Sequence, residues 1–169
     1  KLDVYLCDDA RAATLVYFHG GYWQRGDKST YSFLAAPFLA SGVNVVVVGY
    51  DLCPTVTITR ISEQAREAMA FLWRKAANLG LNRSRITVMG HSAGGHITQM
   101  MMATCGMPLA MIYRPTWSVP VFLFPPLSLL EPVRRTKGLN AGIRMDAAEA
   151  EAESPMLHHP PRTDAPQLV

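Results

Sequence analysis

Apolar and polar residues alternate at Leu2, Val4 and Leu6, which predicts a half-buried strand. After the turn Asp8-Asp9-Ala10-Arg11 a second strand follows at Thr14 to Phe18, so the opening reads as a hairpin. A polar loop (Gln24 to Ser29) then leads into a short helix over Tyr31 to Ala40, with Gly42 as its C-cap. Val43 to Gly49 (VNVVVVG) is β-branched without alternation, the pattern of a strand covered on both faces in a parallel sheet. From Ile61 to Leu79 the residues Ile61, Ala65, Ala68, Leu72, Ala76 and Leu79 recur at three- and four-residue steps, with Glu63, Arg66, Glu67, Arg74 and Lys75 on other faces. This spacing predicts an amphipathic helix stopped by Gly80. Arg85 to Met89 reads as a further strand, and a helical pattern resumes at Ala93 and runs to about Thr104. Later, Asp146-Ala-Ala-Glu149 is a capping-box-like start to a short Ala/Glu helix that Pro155 ends, and Gln167-Leu168-Val169 reads as the beginning of a strand.

Strands alternating with helices predict an α/β fold: a mostly parallel sheet with helices on both faces, its crossovers right-handed. A length of 169 residues fits one domain, 1–169. Composition excludes several alternatives. With 49% apolar and 17% charged residues, the chain lacks the signature of disorder. Its net charge of +3 comes without a basic stripe, which argues against a nucleic-acid partner. Ten of the twelve glycines lie at or before Gly106 and ten of the twelve prolines at or after Pro108, so the chain changes character there. The stretch Met107 to Leu130 is almost wholly apolar and long enough to suggest a membrane span, but Pro108, Pro115, Pro120, Pro125, Pro126 and Arg114 forbid an undamaged helix. No membrane partner is expected. Cys7, Cys53 and Cys105 form neither a CxxC pair nor a disulfide framework, and the first residues carry no apolar leader, so a reduced, cytoplasmic setting is expected. No set of histidines has metal-ligand spacing with a third partner; neither a metal nor another cofactor is expected.

Chemistry concentrates in two short runs. Gly90-His91-Ser92-Ala93-Gly94 matches Gly-x-Ser-x-Gly and lies between a predicted strand and a predicted helix, the context of a nucleophile elbow. The serine of such an elbow occupies a strained turn, where a side chain two positions before or after it would collide with its neighbours; hence Gly90 and Gly94. The turn lifts the Ser92 hydroxyl to the carboxyl end of the sheet and aims a helix N-terminus at a developing oxyanion. The second run, His19-Gly20-Gly21-Tyr22-Trp23, follows the strand Thr14 to Phe18 directly. Paired glycines at a strand end let backbone N–H groups turn towards a ligand, and an oxyanion hole needs a donor besides the N–H that follows the nucleophile. Gly21 and Tyr22 are the candidates. Each run alone also fits an ordinary tight turn; together, in this order, they indicate serine-hydrolase chemistry.

HGGYW, VVVVGYDLCP (Val45 to Pro54), GHSAGGH (Gly90 to His96) and EAEAESPMLHHPP (Glu149 to Pro161) together resemble the arylformamidase (kynurenine formamidase)-like branch of the α/β-hydrolases, related to the hormone-sensitive-lipase type of esterase. The resemblance covers Leu2 to about Cys105 and Glu131 to Val169. HGGYW discriminates, because lipase-type esterases usually carry a third glycine where this chain has Tyr22. The resemblance implies an α/β-hydrolase fold, incomplete at the C-terminal side, and hydrolysis of a small acyl substrate of the N-formylkynurenine type. It implies Ser92 as nucleophile and an oxyanion hole at Gly20, Gly21, Tyr22 and Ala93, the N–H groups of Gly21, Tyr22 and Ala93 being the donors. It also implies a substrate pocket at Tyr22, Trp23 and His91. The family's triad acid and histidine follow the serine, beyond the strand that Gln167 would begin, so both are expected after residue 169.

The histidines present have other readings: His19 and His91 belong to the motif turns, His96 is a packed helix residue, and His158 and His159 lie in a Pro-rich loop. Asp51 orders the loop after its strand. Met107 to Leu130 departs from the family pattern. It is either a variable insertion covering the pocket or a reading-frame slip, since a back-translated neighbouring frame can read DLPSDMVSAGVSIS. An exposed sheet edge makes a homodimer one expected form. Two further readings stand beside the formamidase-like one: a general short-chain carboxylesterase, and a catalytically impaired remnant or binding module.

Overall fold

The computed structural model describes residues 1–103, 122–123 and 129–158. Five strands form one sheet in the order β1-β3-β2-β4-β5: β1 Leu2–Tyr5, β2 Ala13–Phe18, β3 Val43–Val48, β4 Ile86–His91 and β5 Phe122–Leu123. The described helices are α1 Ala35–Ala40, α2 Ile58–Lys75, α3 Ala93–Ala103, α4 Glu131–Arg135, α5 Lys137–Ile143 and α6 Ala147–Ala152, with 3₁₀ turns at Lys28–Leu34, Ala77–Leu79 and Pro155–Leu157. The β2–β3, β2–β4 and β4–β5 pairs are parallel and the β1–β3 pair is antiparallel. This is a partial α/β-hydrolase sheet, as expected.

The opening hairpin does not form. β1 pairs with β3 (Leu2 opposite Val48, Tyr5 opposite Val45), because both edges of β2 are taken by parallel neighbours while the outer edge of β3 is open to it. Alternation at Leu2, Val4 and Leu6 foretold a strand but carried no information about its partner.

The β-branched run in β3 is buried on both faces, and successive residues serve different layers. Val46 and Val48 join Val16 and Phe18 against Ile58, Ile61, Ala65, Met69 and Leu72 of α2 and Ile97 of α3. Val45 and Val47 join Leu15 and Tyr17 against Ala35, Phe38 and Leu39. Helices therefore cover both faces of the sheet, each closing its own apolar layer.

Helix ends differ from the sequence reading for identifiable reasons. α2 begins three residues early because the Thr57 side chain accepts from the Arg60 N–H at 3.2 Å and caps it. It gives way to a 3₁₀ turn before Gly80, which stops it in the left-handed region at φ 71°. The predicted helix over Tyr31 to Ala40 is α-helical only from Ala35; Lys28–Leu34 is a 3₁₀ stretch capped by Asp27, and Pro37 is tolerated in the first turn of α1. Asp146 caps α6 by accepting from the Glu149 N–H at 2.8 Å, as its spacing predicted. Most of Met107 to Leu130, His159 and the predicted strand at Gln167 lie outside the described residues.

Leu72 is fully buried beneath α2 while its neighbour Phe71 is 40% exposed. Leu72→Ala should lower the unfolding free energy by about 2–5 kcal/mol, and Phe71→Ala by less than about 1 kcal/mol, read from urea unfolding curves. Equal losses would contradict the orientation of α2.

Candidate active site

Strands β2 and β4 lie side by side and parallel, with Phe18 opposite Gly90. The two motif runs therefore leave the same end of the sheet as neighbours. Ser92, between β4 and α3, has φ 53°, in the left-handed region that a non-glycine residue enters only under constraint. A Cβ at Gly90 would overlap the Gly94 carbonyl, and a Cβ at Gly94 would overlap the Phe18 carbonyl at the end of β2. Both glycines are thus required by close backbone approach. The Ser92 carbonyl accepts from the His96 N–H at 3.0 Å, so the helix starts at once and its free N–H groups face the serine.

The HGGYW loop lies directly against this elbow. A Cβ built on Gly20 would stand 2.8 Å from His91 Nδ1 and 3.3 Å from Ser92 Cβ. Gly21 has φ 127°, and the next two residues, Tyr22 and Trp23, also lie in the left-handed region at φ 54° and 57°. The Gly21 carbonyl closes the turn by accepting from the Gln24 and Arg25 N–H groups at 3.0 and 2.9 Å.

His19 holds the loop from behind. Its ring is stacked between Tyr50 and Tyr31, with centroids 4.2 and 5.5 Å away, and its Nδ1 lies 2.7 Å from the Gly20 carbonyl oxygen. The Tyr50 hydroxyl donates to the His19 carbonyl at 2.6 Å. Burial pushes the His19 pKa down, favouring the neutral ring, and the contact fixes Nδ1–H as the donor. With the Gly20 carbonyl turned towards His19, planarity of the trans peptide turns the Gly21 N–H the opposite way.

The predicted pocket residues separate. Tyr22 is 53% exposed, His91 is partly buried, and Trp23 is wholly buried. Trp23 packs edge-on against His96 at 5.2 Å and its carbonyl accepts from the Cys53 N–H at 2.8 Å, so it supports the loop from beneath. Ala93 is buried as the first residue of α3. A cavity of about 730 Å³ opens elsewhere, between β1 and α2; Ser92 and the HGGYW loop do not line it.

Three of the described histidines are engaged away from Ser92. His19 bonds Gly20, His158 Nε2 lies 2.7 Å from the Ala152 carbonyl, and His96 Nε2 lies 2.7 Å from the Glu153 carbonyl. The packed reading of His96 holds: burial pushes its pKa down to about 4. Asp51 orders its loop as expected, its N–H donating to Gln64 Oε1 at 2.9 Å and its carboxylate accepting from Gln64 Nε2 at 2.7 Å. Sequence reasoning missed Glu153, 3% exposed, whose carboxyl accepts from the Ser62 hydroxyl at 2.6 Å and is raised by burial. Its ionisable type gives no signal of burial, and it stands just past the end of α6. Among the described residues no three His, Cys, Asp or Glu are placed to hold a metal, and no helix is long and apolar enough to cross a membrane.

A family model, BD-FAE, matches residues 2–108. The chain belongs to the BD-FAE family. Its match ends where the atypical apolar segment begins. The kynurenine formamidase of Danio rerio is 35% identical over 106 residues, 62% of this chain and 35% of that protein. The kynurenine formamidase of Drosophila melanogaster is 30% identical over 152 residues, 87% of this chain and 48% of that protein. The ethyl acetate hydrolase of Pseudomonas putida is 32% identical over 53% of this chain and 28% of that protein. The chain thus spans about a half or less of the length of these curated relatives. Among solved structures, a protein provisionally described as a thioesterase from Silicibacter sp. TM1040 superposes with a TM-score of 0.82 at 35% identity, over 98% of this chain and 59% of that one. Thermogutta terrifontis esterase 2 superposes with a TM-score of 0.70 at 22% identity, which shows the shared fold. These relatives are named as formamidases and as an ester hydrolase, and the chain belongs to an α/β-hydrolase family of this esterase and arylformamidase-like kind.

The His96 environment gives a pH test. Unfolded, its imidazole titrates near 6.5; folded, at about 4. The unfolded state therefore binds its proton first, and stability falls as pH drops from about 6.5 towards 4, by up to about 1.4 kcal/mol per pH unit. Glu153 has the opposite sign, since its raised folded pKa contributes stability that is lost as pH rises through it. The wild-type minus His96→Gln difference isolates the histidine: urea unfolding between pH 4.5 and 6.5 should show a shallower pH slope in the variant. An unchanged slope would contradict a neutral, buried His96.

Proposed function

We propose that the chain carries the nucleophile and oxyanion hole of a serine hydrolase acting on small acyl amides and esters, with N-formylated arylamines of the N-formylkynurenine type as the favoured class. The observation that carries this reading is the strained Ser92 turn with the HGGYW loop packed directly against it. In this reading the Ser92 Oγ attacks the acyl carbonyl and its proton passes to a base. The carbonyl oxygen becomes an oxyanion facing the N–H groups of Ala93 and of Gly21 and Tyr22, assisted by the positive end of the α3 dipole. Collapse expels the amine or alcohol, which takes up the proton, and water then releases the acid from the acyl-enzyme. The exposed Tyr22 ring and His91, at the end of β4, border the acyl group, while buried Trp23 fixes the loop that carries Tyr22. The base is a histidine oriented by an acid, both following the serine in chain order as in other α/β-hydrolases.

The ethyl acetate hydrolase among the relatives favours a second reading, a short-chain carboxylesterase. One set of measurements separates the readings. Ser92 should be labelled by an organophosphonate and Ser92→Ala should not. The kcat/KM for N-formylkynurenine should exceed that for ethyl acetate; the reverse order selects the esterase. The 169 residues alone should retain roughly 10³–10⁴ over the uncatalysed rate, and a longer chain supplying acid and histidine should exceed that by orders of magnitude. Full activity in the short chain would place the base among its own histidines. No labelling and no turnover in either chain would leave a binding module.

A further inference from the structure

Gln24 closes the HGGYW loop and reaches across the fold. Its Nε2 donates to the Leu139 carbonyl at 3.2 Å, a partner 115 positions away in α5. Its carboxamide also closely approaches Gly142, one turn further along the same helix: a Cβ there would overlap Gln24 Oε1 and its carbon. These two contacts are independent, one a directed hydrogen bond and the other a close approach that only glycine permits. Both seat the same side chain.

The loop has reason to need such a brace. Gly21, Tyr22 and Trp23 lie at positive φ in succession, and strained non-glycine backbone persists only where its surroundings over-determine it. His19 fixes the start of the loop through Gly20, and burial of Trp23 fixes its middle. We propose that Gln24 is a positioning residue that fixes the end of this loop, using α5 as the support, and so holds the Gly21 and Tyr22 N–H groups in register with Ser92. The proposal rests on the serine-hydrolase reading for its consequence in rate, and on the two contacts alone for the brace.

The test uses the full chain with Gln24→Ala, Gln24→Glu (same shape, no Nε2 donor), Gly142→Ala and the Gln24→Ala/Gly142→Ala double variant. Alanine is the better helix former, so Gly142→Ala leaves α5 intact while displacing the Gln24 carboxamide. Hydrogen exchange of the amides of residues 20–23 should quicken about tenfold in each single variant, with residues 58–75 of α2 unchanged. The organophosphonate labelling rate of Ser92 should fall about 10- to 100-fold, as expected when a catalytic group shifts by about an ångström. The double variant should be no worse than Gln24→Ala, since Gly142→Ala acts only through the Gln24 side chain that Gln24→Ala already removes. Unchanged exchange at 20–23, with faster exchange confined to α5, would overturn the proposal and make Gln24 an anchor for α5 alone. Additive losses in the double variant would overturn it too. If wild-type Ser92 is inert to the probe even in a longer chain that supplies the acid and histidine, while the exchange pattern is as expected, the brace stands and the hydrolase reading falls.

Discussion

The site depends on one close approach, where the backbone of Gly94 meets the carbonyl of Phe18 with no room for a Cβ between them. That contact lets α3 begin directly over the end of β2, the strand that also launches the HGGYW loop. With β2 and β4 paired in parallel, Phe18 opposite Gly90, the serine turn and the glycine loop emerge at one level of the sheet. A side chain at residue 94 would lift the helix away and separate the two. The left-handed φ of Ser92 follows from the same geometry, since the chain must reverse from strand into helix within two residues. Apolar layers on both faces of the sheet supply the rigidity that makes such a strained turn sustainable.

Around this centre, buried polar side chains act as fasteners. His19, clamped between two tyrosine rings, orients a peptide group of the loop; His96, one helical turn beyond Ser92, ties the elbow helix to the Glu153 carbonyl. Glu153 in turn meets Ser62 of α2, and Glu149 accepts from the Thr59 N–H and hydroxyl at 2.9 and 3.0 Å. The segment 129–158 is thereby joined to α2 and α3 by directed bonds. Burial pushes the pKa of His19 and His96 down, so both rings are neutral near pH 7, which suits positional roles, and both are weakened as proton acceptors.

The architecture was largely legible because its signals are local. The β-branched run of β3, the three- and four-residue spacing of α2 and the cap at Asp146 each specify their element through nearest neighbours. The two glycine motifs were legible for a steric reason, since close backbone approach leaves only one residue type available. What escaped were pairings set by distant parts of the chain. β1 looked like half of a hairpin, yet the free edge of β3 decided its partner. Gln24 looked like loop polarity, and its partner in α5 lies far along the chain. Trp23 looked like part of a pocket wall by its place in HGGYW, whereas packing against His96 puts it in the core.

In the reading proposed for this site, the Ser92 elbow and the HGGYW loop together form an oxyanion hole. Its most direct test is a crystal structure of the organophosphonate adduct of Ser92, in which the phosphonyl oxygen stands in for the oxyanion. That oxygen is expected about 2.7–3.1 Å from the N–H nitrogens of Ala93 and of Gly21 or Tyr22. A phosphonyl oxygen directed into solvent, with the Gly21 and Tyr22 N–H groups facing away from it, would rule out an oxyanion hole at this loop.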